Sequence, residues 1–190
     1  MNVGKRIRKM REAQDMTPVH VAELTGLEAA YIEAVEEGRE VPSIGAVLKI
    51  SRALGSRMGQ IIHGAGPRSD IFSIIPAGDG AAVERTSTQA QRTGQGYTYM
   101  SLLAADIRGQ GMEPFLVTFD PQAAATVQPM AHEGEEFLYV LSGTLEMLYD
   151  GEVYTLKKGD SLYIDSARPH ALRGIGKTPP QALAVILTKD

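Results

Sequence analysis

Apolar residues recur three and four apart from Lys5 to about Ile62, and beyond about Tyr97 they fall in short runs parted by turn residues, so the chain changes texture once. Ile7 and Met10 share one face of a first expected helix whose other faces carry Lys5, Arg6, Arg8, Lys9 and Arg11. Thr17 before Pro18 marks a second helix, an N-cap hydroxyl with proline at the first helical position, where its missing N–H costs nothing. Val21 and Leu24 continue it, and Gly26 stops it. Leu27 to Glu37 predicts a third helix with Tyr31, Ile32 and Val35 inward, closed by Gly38. Ser43 starts a fourth, carrying Ile44, Val47, Leu48, Ile50 and Leu54, and a short fifth runs through Met58, Ile61 and Ile62. Helices this short cannot each bury a face alone, so they pack as one all-helical domain.

The segment Gly64-Ala65-Gly66-Pro67-Arg68-Ser69-Asp70 breaks helical periodicity and reads as a linker. Strands are expected at Tyr97 to Leu103, Phe115 to Phe119, Glu136 to Leu141, Thr144 to Tyr149, Glu152 to Leu156, Ser161 to Ile164 and Ala182 to Thr188. Asp150-Gly151 is a two-residue hairpin signal, Ser142-Gly143 and Lys158-Gly159-Asp160 mark further turns, and the polar Thr86 to Gly96 reads as a loop. Many short strands with regular turns imply an all-β sandwich or barrel. The expected division is a helical domain over residues 1–63, a linker over 64–82 and a β domain over 83–190.

Composition narrows the chemistry. The chain of 190 residues has 43% hydrophobic and 22% charged residues, enough apolar content for a real core. It has no cysteine, which excludes disulfides, thiol catalysis, zinc ribbons and iron–sulfur ligation. No apolar stretch approaches the ~18 residues of a membrane span and the N-terminus is too charged for a secretory signal, so a soluble, cytoplasmic protein is expected. The net charge of −4 divides unevenly: residues 1–63 carry nine Lys/Arg against eight Asp/Glu, and residues 64–190 carry ten against fifteen.

The order of helices resembles the Xre-type, phage-repressor-like helix-turn-helix domains. The resemblance rests on Gly4-Lys5-Arg6-Ile7-Arg8, Val21-Ala22-Glu23-Leu24-Thr25-Gly26-Leu27, Tyr31-Ile32, Glu36-Glu37-Gly38, Pro42-Ser43 and Leu48 to Gly55. It implies that Leu27 to Glu37 is the recognition helix that enters the major groove, and it suggests a structural ion pair between Arg11 and Glu36. The positions it assigns to DNA include Pro18, Glu28, Ala29, Ala30 and Glu33, none of which donates from its side chain to a phosphate or purine. Glu28 suits either a cytosine amino group or the helix dipole. Positive charge comes from Lys5, Arg6, Arg8, Lys9 and Arg39, with Thr17 and His20 as polar candidates, so backbone contacts and a steep salt dependence are expected.

In the second half, His132-Glu133-Gly134-Glu135-Glu136 leads to Ser142-Gly143, and Gly159-Asp160 leads to Asp165-Ser166-Ala167-Arg168-Pro169-His170. These are similar to the two motifs of the cupin family, a small jelly-roll β-barrel, over residues 98–188. Cupins that bind metal use two histidines one residue apart, a glutamate and a distant histidine; the first falls at Met130 here, leaving His132, Glu136 and His170. Two imidazoles and a carboxylate suit one divalent Fe, Mn, Ni or Zn ion with open positions, or else only hydrogen-bond one another in a partly buried pocket. Met130, Tyr139 and Tyr163 are candidates to line an effector pocket, and Arg168 and Arg173 to hold an effector carboxylate.

Together the two resemblances imply a DNA-binding transcriptional regulator whose cupin domain binds a small-molecule effector and dimerises, presenting two helix-turn-helix units to a pseudo-palindromic operator. The alternative is a metal-dependent cupin enzyme, a dioxygenase or isomerase, whose helical domain no longer binds DNA.

Overall fold

The computed structural model describes residues 2–64, 74–77, 81–83, 96–103, 111–122 and 128–187. They divide into two compact units, one helical and one built of strands.

The helical unit holds α1 (Val3–Glu12), α2 (Pro18–Thr25), α3 (Ala29–Glu36), α4 (Ile44–Ala53) and α5 (Met58–His63). Three starts are capped by short polar side chains: Asn2 accepts from Lys5 N at 3.0 Å, Thr17 from His20 N at 3.1 Å and Ser43 from Ala46 N at 3.1 Å. Gly26 ends α2 in the left-handed region, φ 66°, and donates to Ala22 O at 2.8 Å. The core gathers Ile7, Val21, Ile32, Val35, Val47, Leu48, Ile50 and Ile61. Leu24 of α2 is exposed, because the buried side of that helix runs through Val21, Ala22 and Thr25. Helix α3 begins at Ala29, two residues later than expected, since Glu28 keeps extended backbone and gives no side-chain cap.

In the β unit the strands are β1 (Ala81–Val83), β2 (Tyr97–Ser101), β3 (Met112–Phe119), β4 (Glu135–Ser142), β5 (Thr144–Tyr149), β6 (Glu152–Lys157), β7 (Ser161–Asp165), β8 (His170–Ile175) and β9 (Gln181–Leu187). They form two antiparallel sheets, ordered β1-β2-β3-β9-β4-β7 and β6-β5-β8. Asp150 and Gly151 turn β5 into β6 with φ of 51° and 89°, as the hairpin signal requires. Every expected strand is present, and β1 and β8 are additional. Strand β8 hid in the sequence because Arg173 and Gly174 interrupt a short apolar run. Strand β3 starts ahead of Pro114, whose carbonyl accepts from Leu102 just past the end of β2. Its nitrogen points the same way, so the missing N–H breaks no ladder. The end of the expected linker, Ala81-Ala82, belongs to β1 and pairs with β2, while most of 64–82 and of the 86–96 loop lies outside the described residues.

Alternation sorts each strand. Glu136, Leu138 and Val140 of β4 point inward with Ala182, Ala184 and Ile186 of β9, Phe115 and Val117 of β3, and Leu145 and Met147 of β5.

Candidate functional site

His132 precedes β4, Glu136 is the second residue of β4 and His170 opens β8. Long-range pairing brings them together. Met130 and His170 exchange both backbone hydrogen bonds at 2.9 Å, and His132 N donates to Ser166 O at 2.9 Å, so the chain before β4 is stitched to the chain around β8. Directly opposed residues of an antiparallel pair send their side chains to one side. Met130 and His170 therefore share a side, with His132 two residues further along.

The ligand atoms of His132, Glu136 and His170 lie within 4.8 Å of one another. His132 Nε2 is 2.8 Å and His170 Nε2 3.5 Å from Glu136 Oε1, and the rings stand edge to face with centroids 5.1 Å apart. His170 Nδ1 lies 2.8 Å from Arg168 O and His132 Nδ1 3.2 Å from Glu133 O. A carbonyl oxygen only accepts, so it places the proton on Nδ1 and turns Nε2 toward the carboxylate. Two neutral rings would thus aim two lone pairs and an anion at one point, and only a proton or a metal cation relieves that convergence. Burial alone would push the Glu136 carboxyl up, but the hydrogen bonds and charge of His132 and His170 hold it at about 2. Burial pulls His170 down; its bond to Glu136, that carboxylate's charge and the Arg168 carbonyl more than reverse this and raise its pKa. The donor set fits a divalent cation taking two imidazoles and one carboxylate.

The other expected effector contacts lie elsewhere. Tyr139 and Tyr163 point out of the barrel, because their strands turn Leu138, Val140 and Ile164 inward and side chains alternate. Arg173 lies on the outer face of the second sheet, opposite Glu146, and pairs with it; on β8 it has the opposite parity to His170. Arg168 is exposed and paired with Asp150. Met130 alone of these five keeps company with the histidines.

Glu113 and Ser166 are inward polar residues that were not among the expected site residues. Glu113 is 2% exposed on the inner face of β3, opposite Ile186, which on its other side lies opposite Glu136. The two carboxylates thus share one inner row, two strand spacings or ~10 Å apart. A glutamate in step with Phe115, Val117 and Phe119 was the available signal. Ser166 is fully buried, and its hydroxyl has no hydrogen-bond partner among the described residues.

On the helical unit, Glu28, Ala30 and Glu33 are exposed along α3, Ala29 is half-buried and His20 is exposed on α2. Thr17 is spent on its cap, and Pro18 sits half-buried in the first turn of α2. The cations are differently employed. Arg6 donates to Ile61 O at 2.6 Å and to Ile62 O, closing the C-terminal end of α5, and burial lowers its pKa. Arg8 pairs with Glu12 at 2.9 Å and Arg39 with Glu37 at 2.5 Å, both in water. Lys5 and Lys9 stand exposed with no ion pair among the described residues. The suggested buried pair is present: Arg11 grips Glu36 with two bonds, of 2.6 and 2.7 Å.

Comparison with known proteins agrees with both units. The "Helix-turn-helix domain" family matches residues 2–57 and the "Cupin domain" family residues 115–186. The HTH-type transcriptional regulator PuuR of Escherichia coli is 25% identical over 168 residues, covering 88% of this chain and 85% of its own. Among solved structures, an HTH_3 family transcriptional regulator from Vibrio cholerae superposes with a TM-score of 0.63 at 18% identity, over 99% of this chain and 96% of its own. The iron(II) form of HppE gives 0.52 at 23% identity, over 97% of each chain. At those identities the two structures attest the fold. The chain thus carries a helix-turn-helix domain over residues 2–57 and a cupin domain over residues 115–186, and across both it is similar to the HTH-type transcriptional regulator PuuR.

Proposed function

We propose that this regulator binds a pseudo-palindromic operator as a homodimer in the cytoplasm and that a small molecule or metal in its barrel sets the DNA-binding state. The observation that carries the reading is the pairing of an intact α2–turn–α3 unit, capped at Thr17 and turned at Gly26, with an inward His132–Glu136–His170 group in the same chain. A ligand at that group shifts DNA affinity only by binding one arrangement of the protein better than another. The α3 face of Glu28, Ala30 and Glu33 has no donor side chain, so affinity rests on phosphates, with exposed Lys5, Lys9 and His20 as the available polar groups and Arg8 and Arg39 in loose surface pairs.

Retention of genomic DNA fragments, measured at low and at physiological salt, tests this. Binding should fall steeply with salt, and Lys5→Ala with Lys9→Ala should flatten that dependence. No retention at low salt, with apo protein or with Fe(II), Mn(II), Ni(II) or Zn(II), would refute the reading. Elemental analysis of untagged protein should find close to one metal ion per chain, lost in His132→Ala.

One observation favours a second reading, a metal-dependent enzyme: the His–Glu–His group suits Fe(II) with open positions, on a fold shared end to end with HppE. Metal bound at His132, Glu136 and His170 without any DNA retention would select it.

A further inference from the structure

The His132–Glu136–His170 group has a neighbour whose chemistry differs from its own. Met130 exchanges both backbone hydrogen bonds with His170, so the two side chains leave the paired backbone on one side, and His132 follows two residues later with the same parity. Opposed Cα atoms of such a pair stand about 5.5 Å apart, a span that the unbranched, flexible methionine side chain crosses. His132 and His170 are buried, and Met130 is half-buried beside them. Its thioether therefore faces the space on which the two Nε2 atoms and the Glu136 carboxylate converge. The chain has no cysteine, so methionine is the only sulfur it can offer an ion.

We infer that Met130 is a further ligand of this group and that it tunes the group to monovalent copper, Cu(I), over divalent iron, manganese or zinc. The inference rests on the reading that the barrel takes up a metal, and it names the ion. Softness is the first argument. A neutral thioether is a soft donor that suits Cu(I), and imidazole accepts copper as well, whereas a hard divalent ion prefers oxygen. Charge points the same way. Glu136 is the carboxylate that meets the two imidazoles among the described residues, and Glu113 stands ~10 Å along the inner row. One carboxylate cancels the charge of Cu(I) but leaves a divalent ion with net positive charge in a buried place, where uncompensated charge is costly. Two imidazoles, a carboxylate and a thioether also close the site, which suits an ion that is sensed; a catalytic ion keeps a position open.

Competition for metal tests this on the untagged, full-length protein. Cu(I), supplied as its acetonitrile complex under nitrogen with ascorbate as reductant, is titrated against bicinchoninate, and Zn(II) in parallel against a zinc-binding dye. The wild-type protein should hold Cu(I) the more tightly. Met130→Leu, which keeps the side-chain volume, should cut that preference roughly tenfold or more, and His132→Ala should lose both ions. X-ray absorption at the copper edge reads the wild-type complex without any variant: in thiol-free buffer it should show a sulfur neighbour, which in a chain without cysteine belongs to methionine. Copper surrounded by nitrogen and oxygen alone, or a preference that Met130→Leu leaves unchanged, overturns the inference, and if Zn(II) still binds, the metal reading stands. A protein that holds neither ion overturns both. Copper held through sulfur in a protein that retains no DNA supports the inference and sinks the regulator reading.

Discussion

Replacing Glu36 by alanine probes what holds α3 in place. Arg11 of α1 donates from Nε and one terminal nitrogen to the two oxygens of Glu36 on α3, and from the other terminal nitrogen to Met16 O at 2.7 Å. Their side chains are 9% and 4% exposed, so solvent contributes little to either charge. Hydrogen bonding to Glu36 is the largest influence on Arg11 and raises its pKa, outweighing burial, so the guanidinium stays charged under any condition in which the protein folds. Removing the carboxylate strands that charge in the core, and breaking a buried pair in this way costs about 3–5 kcal/mol. A unit of this size is stable by only ~3–9 kcal/mol, so Glu36→Ala should bring the helices to the edge of unfolding. Glu36→Gln keeps one acceptor and should lose about 1.5–3 kcal/mol. Arg11→Met with Glu36→Leu removes both charges together and should fall within about 2 kcal/mol of the wild type. Urea titration of the whole chain separates the units, with helix ellipticity reporting α1–α5 and tyrosine fluorescence reporting the barrel, where every tyrosine but Tyr31 resides. A loss under 1 kcal/mol in Glu36→Ala, or a double variant as unstable as the single one, would refute the buried-pair account.

Three further expectations follow from the same geometry. A Cβ at Gly4 would stand 2.0 Å from Val35 O, backbone that cannot yield, so Gly4→Ala should separate α1 from α3 and cost at least ~3 kcal/mol in the same titration. Met130→His adds an imidazole on the side of His170 and should tighten Zn(II) or Mn(II) binding roughly tenfold or more by calorimetry; unchanged affinity would mean that position 130 does not face the group. Gly143 turns β4 into β5 at φ 74°, and a Cβ there would meet Pro180 at 2.9 Å, so Gly143→Ala should lower the barrel's midpoint and leave the helices unchanged.

Much of this protein is written in short stretches of sequence. Thr17-Pro18, Gly26, Ser43 and Asp150-Gly151 act on backbone within three or four residues, so their caps and turns could be read one position at a time, and all are present. His132, Glu136 and His170 were legible through motif spacing, and the Arg11–Glu36 pair through the helix-turn-helix resemblance. Tyr139, Tyr163 and Arg173 were misplaced through parity. Alternation counted from Glu136 puts Tyr139 outward, and that count was available; the parity of β8 was not, since that strand had gone unrecognised.

Other features had no local trace. Arg6 looks like any exposed cation until α5 brings the carbonyls of Ile61 and Ile62 to it. Glu113 and Glu136 share an inner row only because β9 passes between β3 and β4. An apolar row on the outer face of that sheet exists because the same order aligns Pro114, Val185, Phe137 and Tyr163, residues from four separate strands. The sequence by itself determined the caps, the turns, the two-domain order and the candidate ligands, since each depends on neighbours along the chain. Tertiary structure decided which cations are occupied, which carboxylates share an inner row and which face is left apolar, because strand order and register are set by contacts between residues far apart in sequence.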